Sequence, residues 1–245
     1  MRTRRVLAAA AAAVLASCGG PSTEKPSTQT VTSTITSESL SSGTAAAPSP
    51  SPAPRAGATP TEGAAVADVI DWVQAGKPVD PNGYRTVRDP RDTPPRGTDI
   101  GPGVAFQSPT KKISCVGGVA QGGEKSAAPP FSCLVSLQNP PPRPKEPGQW
   151  IGGWVDYSGN AASVGSFHGD PGVFRDGDGA ELAYGQHLRF RGGSDEYDCR
   201  MDESGLWCAD KAKGSAVLIN DQGVTPYGCL RQIPHRHGEG FSYTC

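Results

Sequence analysis

The chain lacks a long apolar run and an excess of charge of either sign. Of its 245 residues 19% are charged, and the formal net charge is −1. A helix that spans a membrane needs about 20 apolar residues, and the apolar run near the start of the chain is shorter than this. A nearly neutral surface also does not favour nucleic acid as a partner. The composition therefore argues against a membrane-spanning helix and against a nucleic-acid-binding protein.

Motifs that carry common chemistry are missing as well. The sequence has no Cys-x-x-Cys pair, which zinc sites usually need, and no Gly-x-Gly-x-x-Gly. The nearest approach to the Gly-x-Ser-x-Gly of serine hydrolases surrounds Ser163, but it lacks the first glycine and a following helix. His168 and Asp170 lie close by in sequence, which says little because the partners of a triad meet by folding. We therefore expect no enzyme activity, no metal and no cofactor.

Residues 1–17 have the features of a secretory signal peptide: a basic start, a short apolar run and small residues at its end. Leu15-Ala-Ser-Cys18 resembles the bacterial lipobox, whose cysteine becomes the lipidated first residue of the mature protein. The alternative is an ordinary signal peptide with an incidental cysteine. We expect lipidation of Cys18, which would hold the protein on the extracytoplasmic face of the cell membrane. Removal of the signal leaves 20 basic and 24 acidic residues, a net charge of −4.

The next segment, residues 18–59, is rich in Ser, Thr, Pro and Ala. It has too few apolar side chains to offset the entropy lost on ordering, so we expect a disordered tether. A coil of this length has an end-to-end distance of about 35 Å. Ser/Thr-rich tracts with proline are also typical O-glycosylation substrates, and the sequence leaves open whether this tether is glycosylated or is a plain spacer.

The ordered part is expected to start with a short amphipathic helix. Val66, Val69, Ile70 and Val73 follow a helical period. Thr59-Pro-Thr-Glu62 fits a capping box, so we place the helix at about 60–75. The turn-rich segment that follows predicts an arm that wraps the core and has one short strand near Tyr84–Val87. Residues 60–102 are therefore predicted to form a helix and a wrapping arm.

Residues 103–245 predict a β domain. Gly and Pro together exceed a fifth of the chain, which favours turns and short strands. No second segment keeps a helical period. The predicted fold is mainly β, a single antiparallel domain after one short N-terminal helix. The predicted strands are 103–107, 112–119, 131–137, 150–157, 182–191, 196–201, 205–209 and 215–220.

Six cysteines remain after Cys18, and an even number in an exported domain argues for disulfides. Six cysteines allow 15 connectivities. We favour sequential pairing, because two pairs then cross-link neighbouring strands and the third holds the C-terminal tail. Metal ligation is the alternative. The favoured pairs are Cys115–Cys133, Cys199–Cys208 and Cys229–Cys245.

Several of these residues resemble the pattern of an uncharacterised family of exported actinobacterial proteins. The resemblance covers about 66–220, and an upstream part is similar to a segment of mycobacterial lipoproteins of unknown function. It implies an exported location and the first two disulfides, and it implies no activity. The motifs are Asp71-Trp-Val-x-x-Gly-Lys-Pro-Val-Asp-Pro81, Phe106-x-Ser-Pro-x-x-x-Ile-x-Cys115, Cys133, Leu182-x-Tyr-Gly-Gln186, Cys199, Gly205-x-x-Cys208 and Ala216-Val-Leu-Ile219.

Trp150 and Trp154 are the candidate ligand-binding residues. Positions i and i+4 of a strand lie on one face, and a Pro-rich segment precedes this pair. Two indoles on one face predict a platform for sugar rings or a peptide. The alternative is a core strand that uses large aromatic side chains.

These observations favour a lipid-anchored, non-enzymatic binding module of the cell envelope. Its expected partners are the membrane, through the lipid, and an envelope protein or a glycan. The alternative function is an envelope hydrolase whose catalytic residues meet only in the fold.

Overall fold

The computed structural model describes residues 57–94, 96–119, 131–168, 174, 177–234 and 236–245. The predicted signal peptide, Cys18 and nearly all of the predicted tether lie outside these residues. In the described part of the chain, no helix is long and apolar enough to cross a membrane.

This part contains one α-helix, one short 3₁₀ turn at Pro81–Tyr84 and sixteen strands. The elements are α1 Val66–Gln74, β1 Lys77–Pro78, β2 Thr86–Arg88, β3 Gly97–Asp99, β4 Val104–Gln107, β5 Ile113–Gly117, β6 Phe131–Val135, β7 Trp150–Tyr157, β8 Ala161–Phe167, β9 Ala180–Glu181, β10 Gln186–Gly192, β11 Asp195–Asp202, β12 Gly205–Asp210, β13 Ser215–Asn220, β14 Gly223–Gly228, β15 Arg231–Ile233 and β16 Glu239–Thr244.

The strands form a two-sheet sandwich, which confirms the mainly β fold. One sheet has the order β1-β10-β11-β12-β13-β14, and the other has the order β15-β16-β8-β7-β6-β5-β4-β9. Neighbouring strands are antiparallel, except that β1 runs parallel to β10 and β9 runs parallel to β4. The small β2–β3 hairpin is a separate sheet. One buried cluster contains side chains of both large sheets, so their inner faces enclose the main core.

Along the strands of the eight-stranded sheet, alternate side chains point into the core and to the outer face of the sheet. Phe131 and Cys133 on β6 and Val155 and Tyr157 on β7 are buried in the shared core. Because successive side chains of a strand point to opposite faces, the residues between them lie on the outer face. That outer face carries the candidate site described below.

The helix packs on the outer face of the six-stranded sheet. Val69 and Val73 are fully buried, and the ring of Trp72 meets that of Trp207 at 5.4 Å between centroids. The predicted start at residue 60 is wrong, because α1 begins at Val66 after Ala65, which makes no side-chain cap. Gly63 adopts a φ of +79°, in the left-handed region, and this turn prevents the helix from extending back to the predicted capping box.

Seven of the sixteen strands were not predicted: β1, β3, β8, β9, β14, β15 and β16. Strand β8 reads Ala-Ala-Ser-Val-Gly-Ser-Phe, and its small residues have little of the β-branched and aromatic character that marks a strand in sequence. Pairing with β7 and β16 on either side makes it a strand.

The arm also differs from its prediction. Tyr84 lies in the 3₁₀ turn, and the strand begins at Thr86.

Three disulfides join the pairs that sequential pairing predicts. Cys115–Cys133 links directly opposed residues of β5 and β6, and Cys199–Cys208 links directly opposed residues of β11 and β12. All four of these cysteines are fully buried in the core. Cys229–Cys245 instead lies at the surface and fastens the C-terminal residue to the end of β14.

We expect the loss of a buried disulfide to cost more than the loss of the surface one. Replacing both Cys115 and Cys133 by alanine should lower the free energy of unfolding by about 2–5 kcal/mol. The change raises the conformational entropy of the unfolded chain and removes two buried sulfur atoms from the core. Urea unfolding measures this. The matched double replacement of Cys229 and Cys245 should cost less and leave the sandwich folded. Equal losses for the two pairs would contradict this account.

Candidate functional site

A row of polar side chains crosses four neighbouring strands on the outer face of the eight-stranded sheet. Ser132 on β6 is the ladder partner of Asp156 on β7, and Asp156 is in turn the partner of Ser163 on β8. Ser163 is paired with Ser242 on β16. We call these four residues the polar row. Adjacent strands lie about 4.8 Å apart, so the row is about 14 Å long.

The polar row forms the floor of a cavity of about 260 Å³, which we call the outer cavity. Trp154 and His168 form one wall, with their rings stacked at 3.4 Å between centroids and 20° between planes. The edge of Phe174 meets Trp154 at 5.2 Å. Arg236 and Glu239, the first residue of β16, also line the cavity. The cavity therefore combines an aromatic wall with a polar floor, a common composition of small-molecule sites.

Two carboxylates in the outer cavity are each held by a serine hydroxyl. Ser132 donates a hydrogen bond to Asp156 Oδ1, and the indole Nε1 of Trp154 donates to the same oxygen at 2.9 Å. Ser242 donates to Glu239 Oε2 at 2.6 Å, while its oxygen accepts from the backbone N–H of Arg236 at 3.2 Å. The second oxygen of each carboxylate accepts no hydrogen bond within the described residues, so it can accept one from a ligand.

His168 is held in a form suited to hydrogen bonding without charge. Burial lowers the pKa of its imidazole below the ordinary value, and the charge of Asp156 opposes this only in part. Its Nε2 atom is buried and has no hydrogen-bond partner in the described part of the chain. A neutral ring is expected at neutral pH, and it gives the wall an apolar face that carries no fixed charge.

The structure does not bring the two predicted tryptophans together on one platform. Trp154 is 1% exposed and belongs to the wall of the outer cavity. Trp150 is half-buried and lines a separate groove of about 420 Å³ with Pro140–Pro142. Strand β7 has two more residues than β8 between Ile151 and Val155, and this irregularity lies between the two indoles.

Trp150 is fixed against the Pro-rich segment by close packing. Its ring meets Phe167 at 5.1 Å between centroids. Gly165 has a φ of +79°, and a Cβ atom there would approach the Trp150 ring to 2.6 Å and Pro141 to 2.7 Å. A side chain at position 165 would therefore displace both residues. This second groove has few polar groups with which to orient a ligand.

Ser163 and His168, the nearest approach to a hydrolase motif, do line the same cavity. No hydrogen bond joins the Ser163 hydroxyl to the His168 ring among the described residues. Asp170, the third member of that sequence hypothesis, lies outside them. The fold thus brings two of these residues to one cavity without pairing them as nucleophile and base.

Most of the polar site was missed from sequence. Ser132 and Asp156 were hidden within predicted strands, and Glu239 and Ser242 belong to a strand that was not predicted. A usable indication existed for two of them. Ser132 lies between Phe131 and Cys133, and Asp156 lies between Val155 and Tyr157, so strict alternation places both polar residues on the face opposite the core.

No group of three or more His, Cys, Asp or Glu side chains in the described ranges could hold a metal ion.

Comparison of the chain with protein-family models, curated proteins and solved structures gives no match. The function of the site therefore has to be argued from its geometry.

Proposed function

We propose that this protein is a non-enzymatic binding module of the cell envelope and that its ligand site is the outer cavity. The observation that carries the proposal is the aromatic wall beside the polar row. Trp154 and His168 are already stacked, and the carboxylate of Asp156 is already held by two donors. Such preorganisation reduces the entropy lost when a ligand binds.

The envelope location rests on the start of the sequence. A signal-like segment ends at a lipobox-like Cys18, and a segment rich in Ser, Thr, Pro and Ala follows. Two or three acyl chains on that cysteine hold a protein firmly to a bilayer. The folded part would then be held on the extracytoplasmic side of the membrane, where ligands of the envelope can reach it.

Replacing Cys18 by alanine should abolish lipidation and the processing that depends on it, because no other residue of the box can accept the acyl group. Metabolic labelling with a fatty-acid probe, followed by membrane fractionation, measures both effects. Ser17→Ala is the matched control and should retain the label. Label that persists on the Cys18→Ala protein would contradict the anchor.

The binding site is tested by blocking the cavity. NMR spectra of the mature chain are recorded with small polar probes of several classes: neutral sugars, short peptides and diamines. We expect at least one class to shift the Trp154 indole and His168 ring signals. Ser163→Phe places a large side chain on the floor of the cavity and should remove these shifts.

Ser114→Phe is the matched control, because Ser114 lies on the same outer face, on β5, and does not line the cavity. It should leave binding unchanged. The proposal is overturned if no class of probe shifts the cavity signals, or if the shifts survive in Ser163→Phe.

A hydrolase is the second candidate, because Ser163 and His168 share the cavity. A serine nucleophile would react with a fluorophosphonate probe, and Ser163→Ala would lose the label. The binding proposal predicts no label on either protein, since Ser163 lacks a paired base within the described residues. Labelling of the native chain that depends on Ser163 would establish the hydrolase instead.

A further inference from the structure

We infer that the ligand of the outer cavity is a neutral oligosaccharide that lies along the polar row, across strands β6, β7, β8 and β16. The inference rests on the proposed function, since it names the ligand class of the same cavity. Four observations carry it: the spacing of the row, the acceptor groups along it, the charge of the cavity and the position of the row in the middle of the sheet.

The spacing of the row suits a chain of sugar rings. Successive members of the row lie one strand apart, about 4.8 Å. In an extended glycan, each sugar ring advances the chain by a similar distance. A chain of three rings would therefore be about as long as the row from Ser132 to Ser242.

The groups along the row suit hydroxyl ligands. The second oxygens of Asp156 and Glu239 accept no hydrogen bond among the described residues, and both residues line the cavity together with Ser163. A carboxylate oxygen accepts strong hydrogen bonds from neutral hydroxyl groups. The ring of His168, held in place by stacking on the buried Trp154, supplies an apolar surface for the carbon-bound faces of the sugars.

The charge of the cavity disfavours an anionic ligand. Among the described residues that line the cavity, Asp156 and Glu239 carry two negative charges against the single positive charge of Arg236, and burial lowers the pKa of His168, which favours its neutral form. A phosphate or a sugar acid brought into this cavity would meet net repulsion. A neutral ligand meets no such cost, and the carboxylates act as hydrogen-bond acceptors.

The position of the row disfavours an extended peptide. Peptides that bind sheets commonly add a strand at an open edge. Here β6, β7, β8 and β16 each have a paired strand on both sides, so the row has no free backbone edge. A ligand must instead lie over the side chains, across the strand direction, which is how the row is arranged.

The test is calorimetric titration of the mature chain with neutral oligosaccharides of one to five rings, in gluco-, manno-, galacto- and N-acetylglucosamine series. In at least one series we expect the affinity to rise by tenfold or more from one ring to three, and then to level off because the row is fully covered. Asp156→Asn keeps the shape but weakens the acceptor, and should reduce the affinity at least tenfold. Ser114→Ala should bind like the native protein.

The outcomes separate this inference from the proposed function. If no saccharide binds while peptides or diamines shift the cavity signals, the oligosaccharide is wrong and the binding module stands. If no probe of any class binds in the cavity, both fail. Binding of a single ring with no gain from longer chains would overturn the placement along the row. The melting temperature of Asp156→Asn is the control for folding. If it equals that of the native protein, weaker binding by the variant is not caused by loss of the fold.

Discussion

Replacement of Trp154 by alanine is expected to lower the free energy of unfolding by about 3–5 kcal/mol, as for other buried large aromatic residues. The side chain is 1% exposed and stacks on His168, and its indole donates to Asp156. Its removal leaves a cavity and takes one of two donors from the Asp156 oxygen. Urea unfolding at pH 7 measures the loss of stability, and ligand titration measures the expected loss of binding.

Trp150→Ala is the matched control for this change. Trp150 lies on the same strand and is half-buried in the second groove, so its loss should cost clearly less stability and leave the outer cavity intact. A larger effect for Trp150 than for Trp154 would contradict the burial described for the two indoles.

The second large effect concerns a buried carboxylate beneath the helix. Asp198 accepts from His187 Nε2 at 2.6 Å, from Arg189 Nε at 2.8 Å and from Gln74 Nε2 at 2.7 Å. An ionised carboxylate can only accept, so Nε2 of His187 carries the proton. Because Gln74 belongs to α1 and the other two donors to β10, this network fastens the helix to the six-stranded sheet.

Replacing Asp198 by alanine should cost about 3 kcal/mol, since it leaves buried donors without a partner. We take the lower end of the range for broken buried pairs, because the Arg189 side chain is 51% exposed. Gln74→Ala removes only one of the donors and should cost much less. Urea unfolding distinguishes the two, and a near-neutral Asp198→Ala would show that this network does not hold the helix.

The same residue predicts a dependence on pH. Burial opposes ionisation of Asp198, but the hydrogen bonds from His187, Arg189 and Gln74 outweigh it and hold the pKa below the ordinary value. The unfolded pKa is about 3.9. The stabilisation is therefore fully present above that pH and is lost as the pH falls below it. Asp198→Asn should flatten this acid-side loss, which unfolding curves between pH 7 and pH 2 would show.

The sequence predicted the sandwich strands that carry their own apolar pattern. Two examples are β6 and β13, in which most residues are buried. The predicted ends of both strands lie within two residues of the observed ends, Phe131–Val135 and Ser215–Asn220. Cysteine spacing also predicted the three pairs, because each pair lies on neighbouring segments. Strand β8 could not be predicted, because its small residues have little intrinsic preference for the strand conformation. It becomes a strand through its pairing with β7 and β16.

The candidate site was less accessible from sequence for a physical reason. The polar row is made of one residue from each of four strands, and only the pairing register places them side by side. Trp150 and Trp154 drew attention because large aromatic residues stand out in a strand. Their separation depends on the irregular pairing of β7 between Ile151 and Val155. Position 153 within this segment needs glycine, because a Cβ atom there would clash with the carbonyl oxygen of Val135.

The central claim is that the outer cavity holds the ligand, and intermolecular nuclear Overhauser effects on the mature chain test it most directly. With the tightest-binding saccharide of the series, we expect contacts from sugar protons to the Ala161 methyl group and the His168 ring, both of which line the cavity. Contacts confined to Trp150 and Pro141 in the second groove, with none to Ala161 or His168, would contradict the account.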